Sequence, residues 1–158
     1  MNLADAVGEI CKIVLPIPDE AFCGNPSSPI AICTLSSMSL LRELSKSKVM
    51  NDVAIAGRLL SENRGIDSLV ASIRKNPKIT TIILCGREVW GHKAGHSLLA
   101  LHKNGVSCGG RIIGSMSPDP TLTVSVRDVR HFQRQVSVID RIGETDPDRI
   151  IRSVYAAT

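Results

Sequence analysis

Aromatic residues are scarce in this chain: two Phe, one Tyr and one Trp among 158 residues. Single-stranded nucleic-acid binding, which stacks bases on aromatic platforms, is therefore poorly supplied. The 19 basic residues are scattered rather than clustered, and the net charge is only +4, so a nucleic-acid partner is not expected. No run approaches the roughly 20 apolar residues of a membrane span. Cys11, Cys23, Cys33, Cys85 and Cys108 share no CxxC spacing, which denies zinc its usual ligand pattern. Their odd number, without a secretory leader, predicts free thiols in a reducing cytoplasm. Also missing are the dinucleotide fingerprint GxGxxG, the phosphate loop GxxxxGK[ST], the serine-hydrolase elbow GxSxG and the zinc motif HExxH.

What is present is a core supply of Ile, Leu, Val and Ala in alternating patterns. Residues 1–28 are interrupted by Pro16, Pro18, Gly24 and Pro26. They read as a short helix around Ala4–Cys11 and an extended arm. Ile30–Thr34 is a continuous apolar run, as in a strand buried on both faces. Ser36 and Ser37 then offer N-caps for a helix over Met38–Lys46. A second strand is expected at Val53–Ala56. Ile66, Leu69, Val70 and Ile73 recur at helical spacing, and Asn76-Pro77 stops that helix. Thr80–Leu84 is β-branched and strand-like. A helix over His92–Lys103 ends at Asn104-Gly105. A fourth strand is placed near Arg111–Ile113. After Val126 come a helix, an apolar run at Val136–Ile139 and a closing helix near Pro147–Tyr155. Such alternation defines an α/β fold: a single Rossmann-like domain over 1–158, with a mostly parallel sheet flanked by helices.

In such sheets ligands collect at the carboxyl ends of the strands. The junctions to compare are Cys33–Ser37, Leu59–Gly65, Cys85–Gly95 and Gly114–Pro120. They are rich in small residues, which let backbone approach a ligand. The third is the most informative, because an apolar strand ends in a turn holding Glu88 and His92. His92 is readable as a solvent-facing residue at a helix start, as a metal ligand oriented through its other nitrogen, or as an acid–base group with Glu88. His96, one helical turn on, reads as packing or surface. His102 and His131 read as structural. Trp90 either covers a ligand or packs.

Several spaced blocks resemble one family. They are Pro29–Leu35, Glu62-Asn63-x-Gly65-Ile66-Asp67, Asn76-Pro77-x-Ile79, Cys85-Gly86-x-Glu88-Val89-x-Gly91-His92-x-x-Gly95, Asn104-Gly105-Val106, Gly110–Gly114 and Phe132-Gln133-x-Gln135-Val136. In this order they resemble the A subunit of tetrahydromethanopterin S-methyltransferase, the corrinoid-binding component of an archaeal methyltransferase. The resemblance implies a cobalamin (cobamide) carrier with His92 as lower axial ligand to cobalt. It implies that a methyl group is taken from methyl-tetrahydromethanopterin, or a similar donor, and passed to coenzyme M with partner methyltransferase subunits. The cofactor contacts expected for it, taken from the four junction loops, are Thr34, Leu35, Ser36, Glu62, Asn63, Gly65, Gly86, Glu88, Val89, Gly91, His92, Gly95, Gly114 and Ser115.

The chain also departs from related patterns. Methionine-synthase-like corrinoid domains carry Asp-x-His-x-x-Gly. Here His92-x-x-Gly95 is kept, but Trp90 stands at the aspartate position, so Glu88 or a backbone carbonyl is expected to orient His92. The loop Ser115–Leu122 matches the family poorly. The family's chains usually end in a membrane helix; a form without that anchor is expected here, either a soluble relative or a shortened chain. The expectation is a cytoplasmic form, held at a membrane only through partner subunits. The alternative is a domain that keeps the fold without the cofactor and serves as a scaffold for a methyltransferase partner.

Overall fold

The structure, a computed structural model, describes residues 21–158. The helix expected around Ala4–Cys11 lies outside them. Five strands form one sheet: β1 (Phe22–Cys23), β2 (Ile30–Cys33), β3 (Ile55–Gly57), β4 (Thr81–Gly86) and β5 (Ser137–Ile142). Their spatial order is β1-β3-β2-β4-β5. The last four run parallel, and β1 pairs antiparallel with β3 through Phe22↔Ala56 and Cys23↔Ile55. The helices are α1 (Met38–Ser45), α2 (Arg64–Lys75), α3 (Ala94–Asn104), α4 (Val126–Gln135) and α5 (Pro147–Ala157). The single mostly parallel α/β domain read from the sequence is what forms.

The side-chain alternation of each central strand feeds two cores. Ala31, Cys33, Ile82 and Leu84 face α2, α3 and α4, meeting Ile66, Leu69, Leu98, Leu101 and Phe132. Ile30, Ile32, Ile83 and Cys85 face α1 and α5, meeting Leu40, Leu41, Leu44, Ile150 and Val154. Burial on both faces explains why β2 and β4 are apolar without a break. From β2 the chain moves to β3 on one side and then crosses to β4 on the other. The connections therefore diverge between β2 and β4, and a crevice opens there at the carboxyl ends of these strands.

Four local expectations are corrected. Arg111–Ile113 is not a sheet strand. It makes only single bridges, Val106↔Ile112 and Arg111↔Thr121, because β4 is already flanked by β2 and by the full register of β5 from Thr81↔Ser137 to Gly86↔Ile142. The segment instead packs Ile112 and Leu122 onto the α2–α4 core. Ser37 stands at the N-cap of α1, yet its hydroxyl makes no cap bond. It accepts the N–H of Arg87 at 2.8 Å instead. The helix expected from His92 starts at Ala94, because Lys93 has left-handed backbone with φ 49°. Cys33, Cys85 and Cys108 are free thiols, whereas Cys23 is disulfide-bonded.

Candidate functional site

The loop between β4 and α3, residues 87–93, is built on one carboxylate. Glu88 Oε1 accepts the N–H groups of Val89 at 2.8 Å and Gly95 at 3.0 Å, and Oε2 accepts that of His96 at 2.8 Å. Glu88 thus satisfies free N–H groups at the start of α3, which has no side-chain cap of its own. Its charge also complements the helix dipole. Gly95 lies under this arrangement. A Cβ there would stand 2.8 Å from Leu35 Cδ1 and 2.9 Å from Glu88 Oε2.

The carboxylate on His92 is therefore not Glu88. It is Glu62, which lies 30 residues earlier in the loop between β3 and α2. Glu62 Oε2 is 2.9 Å from His92 Nδ1. Glu62 is 1% exposed, and its Oε1 accepts the N–H of Asp119 at 3.1 Å. An ionised carboxylate only accepts hydrogen bonds, so in the neutral ring Nδ1 carries the hydrogen and Nε2 keeps its lone pair. The His92 side chain is 55% exposed. The result is an outward-facing imidazole whose orientation and tautomer are fixed from behind by a buried anion.

A third loop locks this pair. Ser117, buried, donates its hydroxyl hydrogen to the His92 carbonyl and also lies 3.2 Å from that of Lys93. Its oxygen and that of Ser115 both bond to Ser97 Oγ on α3. Asn63 Nδ2 reaches Asp119 O at 3.3 Å, while Asn63 Oδ1 accepts Arg64 N–H at the start of α2. Ser97, Ser117 and Asp119 have no place in the sequence reading. The only signal, for Ser117 and Asp119, is the run of small and polar residues at Gly114–Pro120; Ser97 has none.

Most of the residues expected to meet a ligand fall into two groups. Glu62, Asn63, Glu88, Val89, His92, Gly95 and Ser115 are joined by the bonds just described, and Gly91 adds an exposed turn at φ 78°. Thr34, Leu35, Gly65 and Gly86 are buried beneath the loops. Thr34 N–H donates to Gly57 O at 2.8 Å. Leu35 is fully buried with φ 50°, a strained backbone for a leucine. A Cβ on Gly86 would lie 2.2 Å from the Thr34 carbonyl. Gly114 turns beside Asn104, whose Nδ2 bonds to Ile113 O at 2.9 Å.

Ser36 lies on the α1 side and donates its hydroxyl to Arg87 O at 2.8 Å. There a cleft of about 530 Å³ is bordered by Ser36, Ser37, Ser39, Arg87 and Thr145. Trp90 does not pack. It is 96% exposed, and Met116 on the facing loop is 64% exposed. His102 Nε2 is 2.7 Å from Val136 O, with its ring edge-on to Phe132. His131 Nε2 is 2.9 Å from Gln135 Oε1. His96 Nδ1 is buried with no hydrogen-bond partner among the described residues.

Fold and site together define an α/β domain that presents a carboxylate-oriented histidine at the carboxyl edge of its parallel sheet. The chain belongs to the family of the tetrahydromethanopterin S-methyltransferase A subunit, which it matches over residues 16–157. It is 38% identical over 140 residues to the A subunit of the putative methyltransferase Mtx of Methanosarcina acetivorans, covering 88% of this chain and 67% of that protein. It is 39% identical over 132 residues to the Mtx A subunit of Methanosarcina barkeri, covering 83% and 63%. It is also similar to the second tetrahydromethanopterin S-methyltransferase A subunit of Methanothermobacter thermautotrophicus, at 36% identity over 129 residues, covering 80% and 68%. The chain thus spans about two thirds of the length of these curated relatives. Among the described residues no helix is long and apolar enough to cross a membrane.

Proposed function

We propose that this domain binds a corrinoid cofactor, with His92 as lower axial ligand to the cobalt, and acts as a methyl carrier within a methyltransferase complex. The observation that carries the proposal is the 2.9 Å contact between His92 Nδ1 and buried Glu62. Carboxylates hold metal-ligating histidines in this way, fixing the ring and raising the basicity of the free nitrogen. Among the described residues no three His, Cys, Asp or Glu side chains gather as a metal site. A lone oriented imidazole suits a metal that arrives with most of its ligands in a macrocycle.

When bound, the cofactor supplies a cobalt centre able to take up and release a methyl group. This chain's residues bind and orient it. His92 offers Nε2, Glu62 holds the ring, and Ser117 and Asp119 secure the loops behind them. Asn63, Gly91 and Ser115 supply polar groups and backbone around the imidazole. The methyl donor is methyl-tetrahydromethanopterin or a similar compound, the acceptor is coenzyme M, and both reach the domain through partner subunits.

The test is a visible-spectrum titration of the protein with cobalamin, followed by desalting. Retained colour with a spectrum shifted toward imidazole ligation is expected, and His92→Ala should abolish the shift. Glu62→Gln should keep the colour but weaken ligation by about 10–100-fold, the usual effect of removing such a support. A wild-type protein that leaves the column colourless would overturn the proposal and favour a cofactor-free scaffold.

A further inference from the structure

We infer that Trp90 is a corrin-binding residue of this chain, forming with Met116 an apolar ledge beside His92. The inference rests on the corrinoid reading above. Trp90 is the only tryptophan and it is 96% exposed, so it contributes nothing to the core. A tryptophan carries about 150–250 Å² of surface that is normally buried. Met116, 64% exposed, lies beside Ser117 on the segment that bonds to the His92 loop. Two large apolar side chains left in water on the loops that hold one histidine mark a surface that something covers.

The position of the ledge indicates what covers it. Trp90 is two residues before His92, which keeps their Cα atoms within roughly 7 Å. Met116 is next to Ser117, whose hydroxyl bonds to the His92 carbonyl. Both residues therefore stand on the two loops that hold His92, whose Nε2 has no hydrogen-bond partner among the described residues. A macrocycle held through its metal at that nitrogen would be wider than the imidazole and would meet the neighbouring loops, where a flat indole and a pliable thioether suit an apolar, irregular ring edge.

The experiment uses the intrinsic fluorescence of the whole protein, which reports on Trp90 above all. Cobalamin is titrated into wild type, Trp90→Ala and Trp90→Phe while emission and corrin absorbance are followed together. In the wild type, tryptophan emission should quench with the same midpoint as the absorbance change. Trp90→Ala should raise the Kd about tenfold, or about 1.4 kcal/mol, and Trp90→Phe should recover most of the loss. The visible spectrum at saturation should match the wild type in both variants, since His92 and Glu62 are untouched. A fully exposed position makes loss of folding an unsuitable explanation for any change. If Trp90→Ala binds within twofold of wild type, the inference is overturned while the corrinoid function stands, and the ledge belongs to a protein partner instead. If the wild type retains no corrin, both fall together.

Discussion

Gly86 shows how closely single residues are constrained at this edge. It closes β4 with φ +79°, and an added Cβ would lie 2.2 Å from the Thr34 carbonyl and 2.9 Å from Ser37 Cβ. Neither neighbour can yield easily, since Thr34 is fully buried and Ser37 is tied to Arg87. Gly86→Ala is therefore expected to cost about 2–4 kcal/mol, at the upper end of single substitutions. Chemical denaturation reads this as a lower midpoint at unchanged slope. Gly91 is the contrast. Its φ is +78°, but nothing stands within 4 Å of a built Cβ. Gly91→Ala should cost only the backbone strain, about 1 kcal/mol. His92 itself is legible in the sequence, since a histidine after an apolar strand and before a helix is a recognisable pattern. Its true partner is not. Glu62 and Glu88 are both acidic residues in loops, and proximity in sequence favours Glu88. Only the fold shows that both oxygens of Glu88 are engaged by backbone N–H groups of its own loop and the start of α3, while Glu62 comes from across the sheet edge.

Among the elements, α3 depends most on help from outside itself. Its N-cap is a left-handed lysine without a capping side chain, and the missing bonds are supplied by Glu88. Glu88→Ala should remove three charge-assisted bonds from one loop. A loss of about 2 kcal/mol is expected, since hydrogen bonds to a charged group contribute about 1.5–3 kcal/mol and solvent replaces part of this. Hydrogen exchange should show faster exchange at Gly95 and His96, while α2, capped by Asn63, stays protected. The other elements follow rules that act locally. The strands β2 and β4 and the helix α2 are readable because continuous apolar runs and a 3.6-residue period need no tertiary information. Arg111–Ile113 misleads because a short run with two adjacent isoleucines has the composition of a strand whether or not a sheet edge is open to it. Gly110 and Gly114, with φ of +81° and +84°, bound this run and turn the chain away from an extended path. The placement of β5 also has to come from the structure, since its pattern of half-exposed residues reflects an edge position.

For the whole molecule, the two cores on opposite sides of the sheet each enclose one thiol. Cys33 is 2% exposed among the α2–α4 core residues and Cys85 is 0% exposed among those of α1 and α5. Burial pushes Cys33 up to about 12 from an ordinary 9.0. Burial also raises Cys85, with a further contribution from its proximity to Cys33. A thiol held neutral in the folded protein but free to ionise when unfolded stabilises the fold fully below pH 9. That contribution is lost as pH rises toward the folded value. The slope for each thiol is about 1.4 kcal/mol per pH unit above 9. Urea midpoints measured from pH 8 to pH 11 should therefore fall steeply above 9, and Cys33→Ala should flatten the fall relative to its own value at pH 8. A profile as steep as wild type would show that other groups cause the alkaline loss. The same burial dictates reactivity, because the thiolate is the nucleophile. Among the three free thiols of the described residues, Cys108 is exposed and should be alkylated quickly at pH 8. Cys33 and Cys85 should react only as fast as the domain opens. Rapid labelling of either one in native protein would mean that its core opens independently of the rest, and that the two faces of the sheet do not unfold as a unit.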